Sequence, residues 1–125
     1  MNLTLSLLEG RFAVCRLAPD QETPGWAAGR FTSVTRTRNE LSVVCEEDAV
    51  PDGIRCEGGW RILEVEGPLD FGLTGILASV AAPLAEAGVS IFALSTFDTD
   101  YVMVKADSLD NAVAALTAAG HRILR

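Results

Sequence analysis

The stretch Gly67-Pro68-Leu69-Asp70-Phe71-Gly72-Leu73-Thr74-Gly75 is the most unusual in the chain. It carries three glycines between an alternating strand pattern and an amphipathic helical one. Glycines let a ligand approach the backbone, and the N–H groups and dipole of a helix start favour an anion such as a carboxylate. The same residues also suit a plain tight turn with capping. The spacing is not GxGxxG and no GK[ST] follows, so dinucleotide and P-loop chemistry fail. Asp70-Phe71-Gly72 repeats a kinase tripeptide in a chain far too short to be a kinase.

A second stretch, Ser95-Thr96-Phe97-Asp98-Thr99-Asp100, places two carboxylates two residues apart at a hairpin. Such a pair suits an ammonium or guanidinium group. Asp and Thr are equally ordinary turn formers. A strand start beside the helix N-terminus would bring Asp100 towards the glycine segment. The site would then offer N–H groups to a carboxylate and a carboxylate to a cation, which is what a free amino acid requires.

Other candidates for chemistry are few. The single histidine, His121, reads as a surface or edge residue of a terminal strand, so triad and Cys–His catalysis have no second member to use. Cys15, Cys45 and Cys56 are odd in number, far apart and without CxxC spacing. They read as buried or half-buried thiols in a reducing cytoplasm. The arginines are scattered, and Trp26 and Trp60 read as packing anchors.

The elements that must position these residues are clearest in the second half. Trp60–Glu66 alternates as a half-buried strand. Leu73, Ile76, Leu77, Val80, Ala81 and Leu84 fall on one helical face, with Asp70 or Thr74 as N-cap, Gly88 as the stop and Pro83 as a kink. Val89–Phe97 and Tyr101–Lys105 are strands. Ser108 caps a second helix that buries Leu109, Ala112, Val113 and Leu116 and ends at Gly120, and His121–Arg125 is a last strand. That order is βαββαβ, a four-stranded antiparallel ferredoxin-like sheet with both helices on one face.

The first half is mostly β. Leu3–Leu8, Phe12–Leu17, Phe31–Arg36 and Glu40–Cys45 read as strands, and Pro24–Gly29 as room for one short helix. The acidic, turn-rich run from Glu46 to Gly59 reads as a linker. The expected division is 1–57 and 58–125.

At 125 residues the chain can bury a core without metal or disulfides, and 49% hydrophobic residues exclude bulk disorder. A net charge of −7 opposes nucleic acid and anionic membranes. No apolar run approaches the roughly 20 residues of a membrane helix. Met1–Leu8 lacks the basic start of a signal peptide and alternates like a strand.

Gly67-Pro68-Leu69-Asp70-Phe71, Leu73-Thr74-Gly75-Ile76-Leu77, Pro83-Leu84-Ala85, Ser90-Ile91 and Ser95–Tyr101 resemble short bacterial proteins built from ACT domains. They are also similar to the ACT repeats of the CASTOR arginine sensors and of aspartate kinases. The resemblance runs from about Leu41 to His121, and the Pro83 kink belongs to it. It implies an α+β fold: a ferredoxin-like βαββαβ ACT domain preceded by a reduced, β-rich ACT-like half. It implies a non-catalytic regulatory module, without cofactor, that binds a free amino acid between ACT domains. Carried over residue by residue, the ligand wall is Gly75, Ile76, Thr96, Phe97 and Asp100. Asp98-Thr99 departs from the arginine sensors, which puts arginine itself in question. The expected assembly is a cytoplasmic homodimer. The alternative is an association module with no small ligand; a small enzyme is a third reading, in which no nucleophile–base pair can be named.

Overall fold

Alternation of small and branched apolar residues in Phe12–Leu17 and Leu41–Glu46 makes two strands whose every residue finds a partner. In the computed structural model, which describes residues 1–70 and 74–125, Phe12 pairs Glu46 and Leu17 pairs Leu41 in one antiparallel ladder. The chain divides into two units by contact, residues 10–60 and residues 1–9 with 61–125. This division differs from a cut after residue 57, because the first strand groups with the C-terminal elements.

Strands β1 (Thr4–Leu7), β2 (Phe12–Leu17), β3 (Ser33–Arg36), β4 (Leu41–Glu46) and β5 (Cys56–Val65) come first in the chain. In the 10–60 unit the order is β3-β4-β2-β5, all antiparallel, using residues 56–60 of β5. The expected β3–β4 hairpin is present. Thr37 and Glu40 close it, with the Thr37 amide donating to the Glu40 carbonyl at 2.8 Å. Ala13, Cys15, Leu17, Leu41, Val43 and Cys45 form its core face, covered by Trp26, Ala27, Val50 and Ile54.

Two expectations fail in this unit. Pro24–Gly29 holds no helix, only turns. Pro and two glycines in six residues leave too little helix propensity, and Trp26 covers the core instead. The linker also ends early, because Cys56–Gly59 is already strand. Gly58 and Gly59 hid it, since they look like turn residues. In fact β5 has an irregular register between Phe12↔Trp60 and Val14↔Glu57, and Gly59 takes φ +76°. Gly58 leaves room for Glu47, whose Oε1 would lie 2.1 Å from a Cβ there and accepts the Gly59 amide at 2.7 Å.

The other unit adds α1 (Ile76–Glu86), β6 (Ile91–Ser95), β7 (Asp100–Lys105), α2 (Leu109–Ala118) and β8 (Arg122–Leu124). Together with residues 61–65 of β5, this is the expected βαββαβ order. The sheet, however, has five strands, in the order β6-β7-β5-β1-β8. β1 lies between β5 and β8, antiparallel to β5 (Leu5↔Val65) and parallel to β8 (Leu5↔Ile123). The four-stranded, wholly antiparallel sheet is therefore corrected. Leu5 is 0% exposed in this position, so apolar burial drives the insertion.

Leu5, Leu63, Val65, Val102 and Val104 of the sheet share one core with Ile76, Val80 and Leu84 of α1 and Leu109, Ala112 and Leu116 of α2. Both helices therefore cover the same face. They also end alike. Gly88 donates to Ala85 and Val89 to Leu84, and Gly120 donates to Thr117 and His121 to Leu116, all at 2.9–3.0 Å. Each is a Schellman turn that needs the left-handed glycine, φ +74° at Gly88 and +98° at Gly120.

The starts differ from expectation. Gly75, with φ +78°, is the N-cap of α1, in place of Asp70 or Thr74. Ser108 is the N-cap of α2, but its hydroxyl makes no capping bond. A 3₁₀ turn, Ala106–Ser108, leads into the helix and gives Ser108 φ −99° and ψ 0° in place of the extended backbone of a side-chain cap. Phe71 of the glycine segment, Gly72, and Leu73, the expected first apolar position of the helix, lie outside the described residues.

Candidate functional site

The glycine segment leaves β5 and meets the hairpin between β6 and β7. The Leu69 amide donates to the Asp98 carbonyl at 2.7 Å. Gly67 allows this approach: a Cβ there would stand 3.0 Å from Asp98 O and 3.1 Å from Thr99 Cβ. Thr99, only 6% exposed, donates its hydroxyl to the Val65 carbonyl at 2.5 Å. Thr99 thus pins the hairpin to the end of β5. The hairpin closes on itself through the Thr96 amide and hydroxyl, which donate to the Thr99 carbonyl at 2.9 and 3.2 Å.

Asp100 opens β7 opposite Ser95 and is half-buried. It accepts the Ser95 hydroxyl at 2.6 Å, which fixes the carboxylate on the exposed side of the ladder. Next to it, the Tyr101 hydroxyl is pushed above its ordinary range, first by burial and then by bonding to Glu64. Thr96 is exposed, and Phe97 at the tip is 80% exposed. Among the described residues, nothing lies within 4 Å of where a Cβ on Gly75 would stand. Ile76 begins α1, and its side chain is 7% exposed in the core, so only its backbone is available to a ligand. The first N–H groups of α1 have no intrahelical acceptor.

The structure therefore joins the hairpin to the glycine segment at Leu69, on the β5 side of the loop. Thr96, Phe97 and Asp100 sit together on one hairpin, and Gly75 and Ile76 together at one helix start. Sequence reading missed Thr99 and Ser95 as the residues that set this geometry. Their signal was available in the Ser-Thr-x-x-Thr-Asp pattern, in which hydroxyls reach partners three and five residues on to bridge a tight turn.

His121 corrects a further expectation. It is 4% exposed, not a surface residue. Its Nδ1 accepts the Leu3 amide at 3.1 Å, and its Nε2 lies 2.8 Å from the Ser79 carbonyl. These partners give the ring its Nε2–H tautomer. Pro83, four residues after Ser79, has no N–H to offer that carbonyl, so the imidazole takes the place of the missing helix bond. His121 is a structural residue.

Among the described residues no group of three or more His, Cys, Asp or Glu side chains is placed to hold a metal ion. Among the described residues, no helix is long and apolar enough to cross a membrane. A βαββαβ unit with both helices on one face belongs to the ferredoxin-like class. The chain belongs to the ACT domain family, whose model matches residues 55–118. A separate family of N-terminal domains matches residues 10–53.

The chain is similar over 99% of its length to a crystal structure of a protein from Agobacterium tumefaciens, with 39% identity, 93% of that chain covered and a TM-score of 0.94. It is 38% identical over 58 residues to the cytosolic arginine sensor for mTORC1 subunit 1 of Homo sapiens. That match takes in 46% of this chain and 18% of the sensor. The regulatory subunit of aspartate kinase from Thermus thermophilus shares the fold, with a TM-score of 0.63 at 14% identity over 92% of this chain and 95% of that one.

Proposed function

We propose that this protein is a non-catalytic regulatory module that binds a free amino acid at an interface between its ACT unit and that of a second copy. The observation that carries this is the Leu69–Asp98 hydrogen bond at 2.7 Å, which ties the β5 end of the glycine segment to the acidic hairpin. In this reading the N–H groups at Gly75 and Ile76 meet the ligand carboxylate, and Asp100 meets its cationic group. Thr96 and Phe97 flank the ligand. Residues 1–57, apart from the β1 segment that joins the other unit, serve as a reduced, β-rich ACT-like half. Similarity to an arginine sensor supports the ligand class, and the three free thiols support a reducing cytoplasmic setting.

The test is a thermal-shift screen with the twenty amino acids, followed by calorimetric titration. A ligand at 100 times its Kd adds about 2.7 kcal/mol of stability. Asp100→Asn should weaken binding roughly ten- to a hundredfold, since a charge-assisted pair contributes about 1.5–3 kcal/mol. Asp98→Asn should matter less. Equal affinity for wild type and Asp100→Asn would place the ligand elsewhere.

The exposure of Phe97, at 80%, and of Leu77, at 39% on the first turn of α1, favours a second reading, an association module without a ligand. It predicts a homodimer in sedimentation equilibrium that Phe97→Asp dissociates, together with silence in the amino acid screen.

A further inference from the structure

Three cysteines from distant parts of the sequence converge within residues 10–60. Cys15 on β2 and Cys45 on β4 are buried, while Cys56 on β5 is exposed. Cys15 stands directly opposite Cys56 in the β2–β5 register. The Arg16 amide donates to the Arg55 carbonyl at 2.9 Å, one residue after Cys15 and one before Cys56. This bond makes Cys15 and Cys56 a non-hydrogen-bonded antiparallel pair, in which the Cα atoms lie about 4.5 Å apart and the side chains are closest. A disulfide spans Cα separations of about 4.4–6.8 Å. Cys45 is opposite Ala13, so it faces Cys15 only on the diagonal, at about 7–8 Å. Burial, and then the neighbouring Cys45 and Cys56 thiols, push the Cys15 thiol up to about 12. Cys56 is exposed and borders an open depression of about 290 Å³, so a small oxidant can reach its thiol.

We propose that Cys15 and Cys56 form a reversible dithiol–disulfide couple, oxidised by hydroperoxides, with Cys56 attacking and Cys15 resolving. The thiolate of Cys56 attacks the terminal oxygen of the hydroperoxide. The O–O bond breaks, an S–O bond forms, and the leaving alkoxide or hydroxide takes a proton. The sulfur of Cys15 then displaces the hydroxyl from the Cys56 sulfenic acid. The S–S bond forms, and water leaves with the Cys15 proton. In sum, two thiols lose two electrons and two protons, and one hydroperoxide becomes one alcohol (or water) and one water. Two equivalents of a small thiol reverse the reaction by exchange. The accessible thiol attacks first because Cys15 is buried and stays protonated near neutral pH. The bond staples β5 to β2 at the edge of that unit's sheet and closes a loop of roughly 40 residues.

The test uses the reduced full chain and a small excess of hydrogen peroxide. Titratable thiols in denaturant should fall from three to one, and the intact mass should fall by two hydrogen atoms. Peptide mapping should join the peptides that hold Cys15 and Cys56. The melting temperature should rise by roughly 5–15 °C and return with dithiothreitol. Cys45→Ser should keep the response, and Cys56→Ser should abolish it. A Cys15–Cys45 link, a Cys56–Cys56 link between chains, or Cys56 gaining oxygen without a crosslink would each overturn the proposal.

Discussion

His121 and Pro83 form one device, although 38 positions separate them in a chain where neither looks coupled to the other. The proline removes a helix donor, and the imidazole replaces it at 2.8 Å while also holding the N-terminal strand through Leu3. His121→Ala orphans a part-buried carbonyl and a part-buried amide and should cost about 1–3 kcal/mol in urea denaturation. Pro83→Ala restores an N–H for Ser79, so it should lower the cost of His121→Ala by about 1 kcal/mol, and additive losses would sink the coupling. Cys15 gives a second residue-scale expectation. Its thiol is raised from 9.0 to about 12 in the folded protein, so the unfolded chain releases this proton first. Its contribution is complete below pH 9 and is lost as pH climbs from 9 towards 12, at about 1.4 kcal/mol per pH unit. Cys15→Ala should flatten the fall of stability with pH across that window, and an unchanged slope would show that other groups dominate. Burial of a lone histidine was not legible from sequence, because its partners are backbone groups at positions 3 and 79 that no local pattern names.

At the scale of elements, strands and helix faces were legible wherever the apolar period was clean. Phe12–Leu17 matches the expected strand residue for residue, and Val80, Leu84, Leu109, Ala112 and Leu116 are buried as their spacing requires. The starts of elements were not. Gly75 caps α1 with no side chain at all, and the glycine pair at 58–59 disguised a strand as a turn. Of the candidate site, the two segments were legible as unusual and were expected to meet at Asp100, but the contact that joins them was not legible, because it runs through the Leu69 amide and the Asp98 carbonyl. Gly67 tests that seam. Gly67→Ala must push a methyl against Asp98 O and Thr99, at 3.0 and 3.1 Å, and should cost about 1–3 kcal/mol. The measurement is the urea midpoint of the variant, and an unaltered midpoint would mean that the hairpin yields without loss.

For the whole molecule, the unit boundary matters more than the sequence division suggested. A fragment of residues 58–125 contains every element of the βαββαβ order but lacks β1, the strand between β5 and β8. Leu5 is 0% exposed in that unit's core, and the fragment would leave its place empty. The fragment should give little cooperative unfolding alone, and a peptide of residues 1–9 added in excess should restore some of it. A fragment with a sharp, full-height transition would show β1 to be dispensable. The position of β1 also sets a timetable for biosynthesis. Its parallel neighbour, β8, is made more than a hundred residues later, which at about 5–20 residues per second is a wait of roughly 6–24 s. For that interval a nascent strand carries an unpaired edge. Thr4 and Ser6 make one face of that waiting strand polar, so the same alternation that seats Leu5 in the finished core leaves the growing chain only one apolar face to keep from its neighbours.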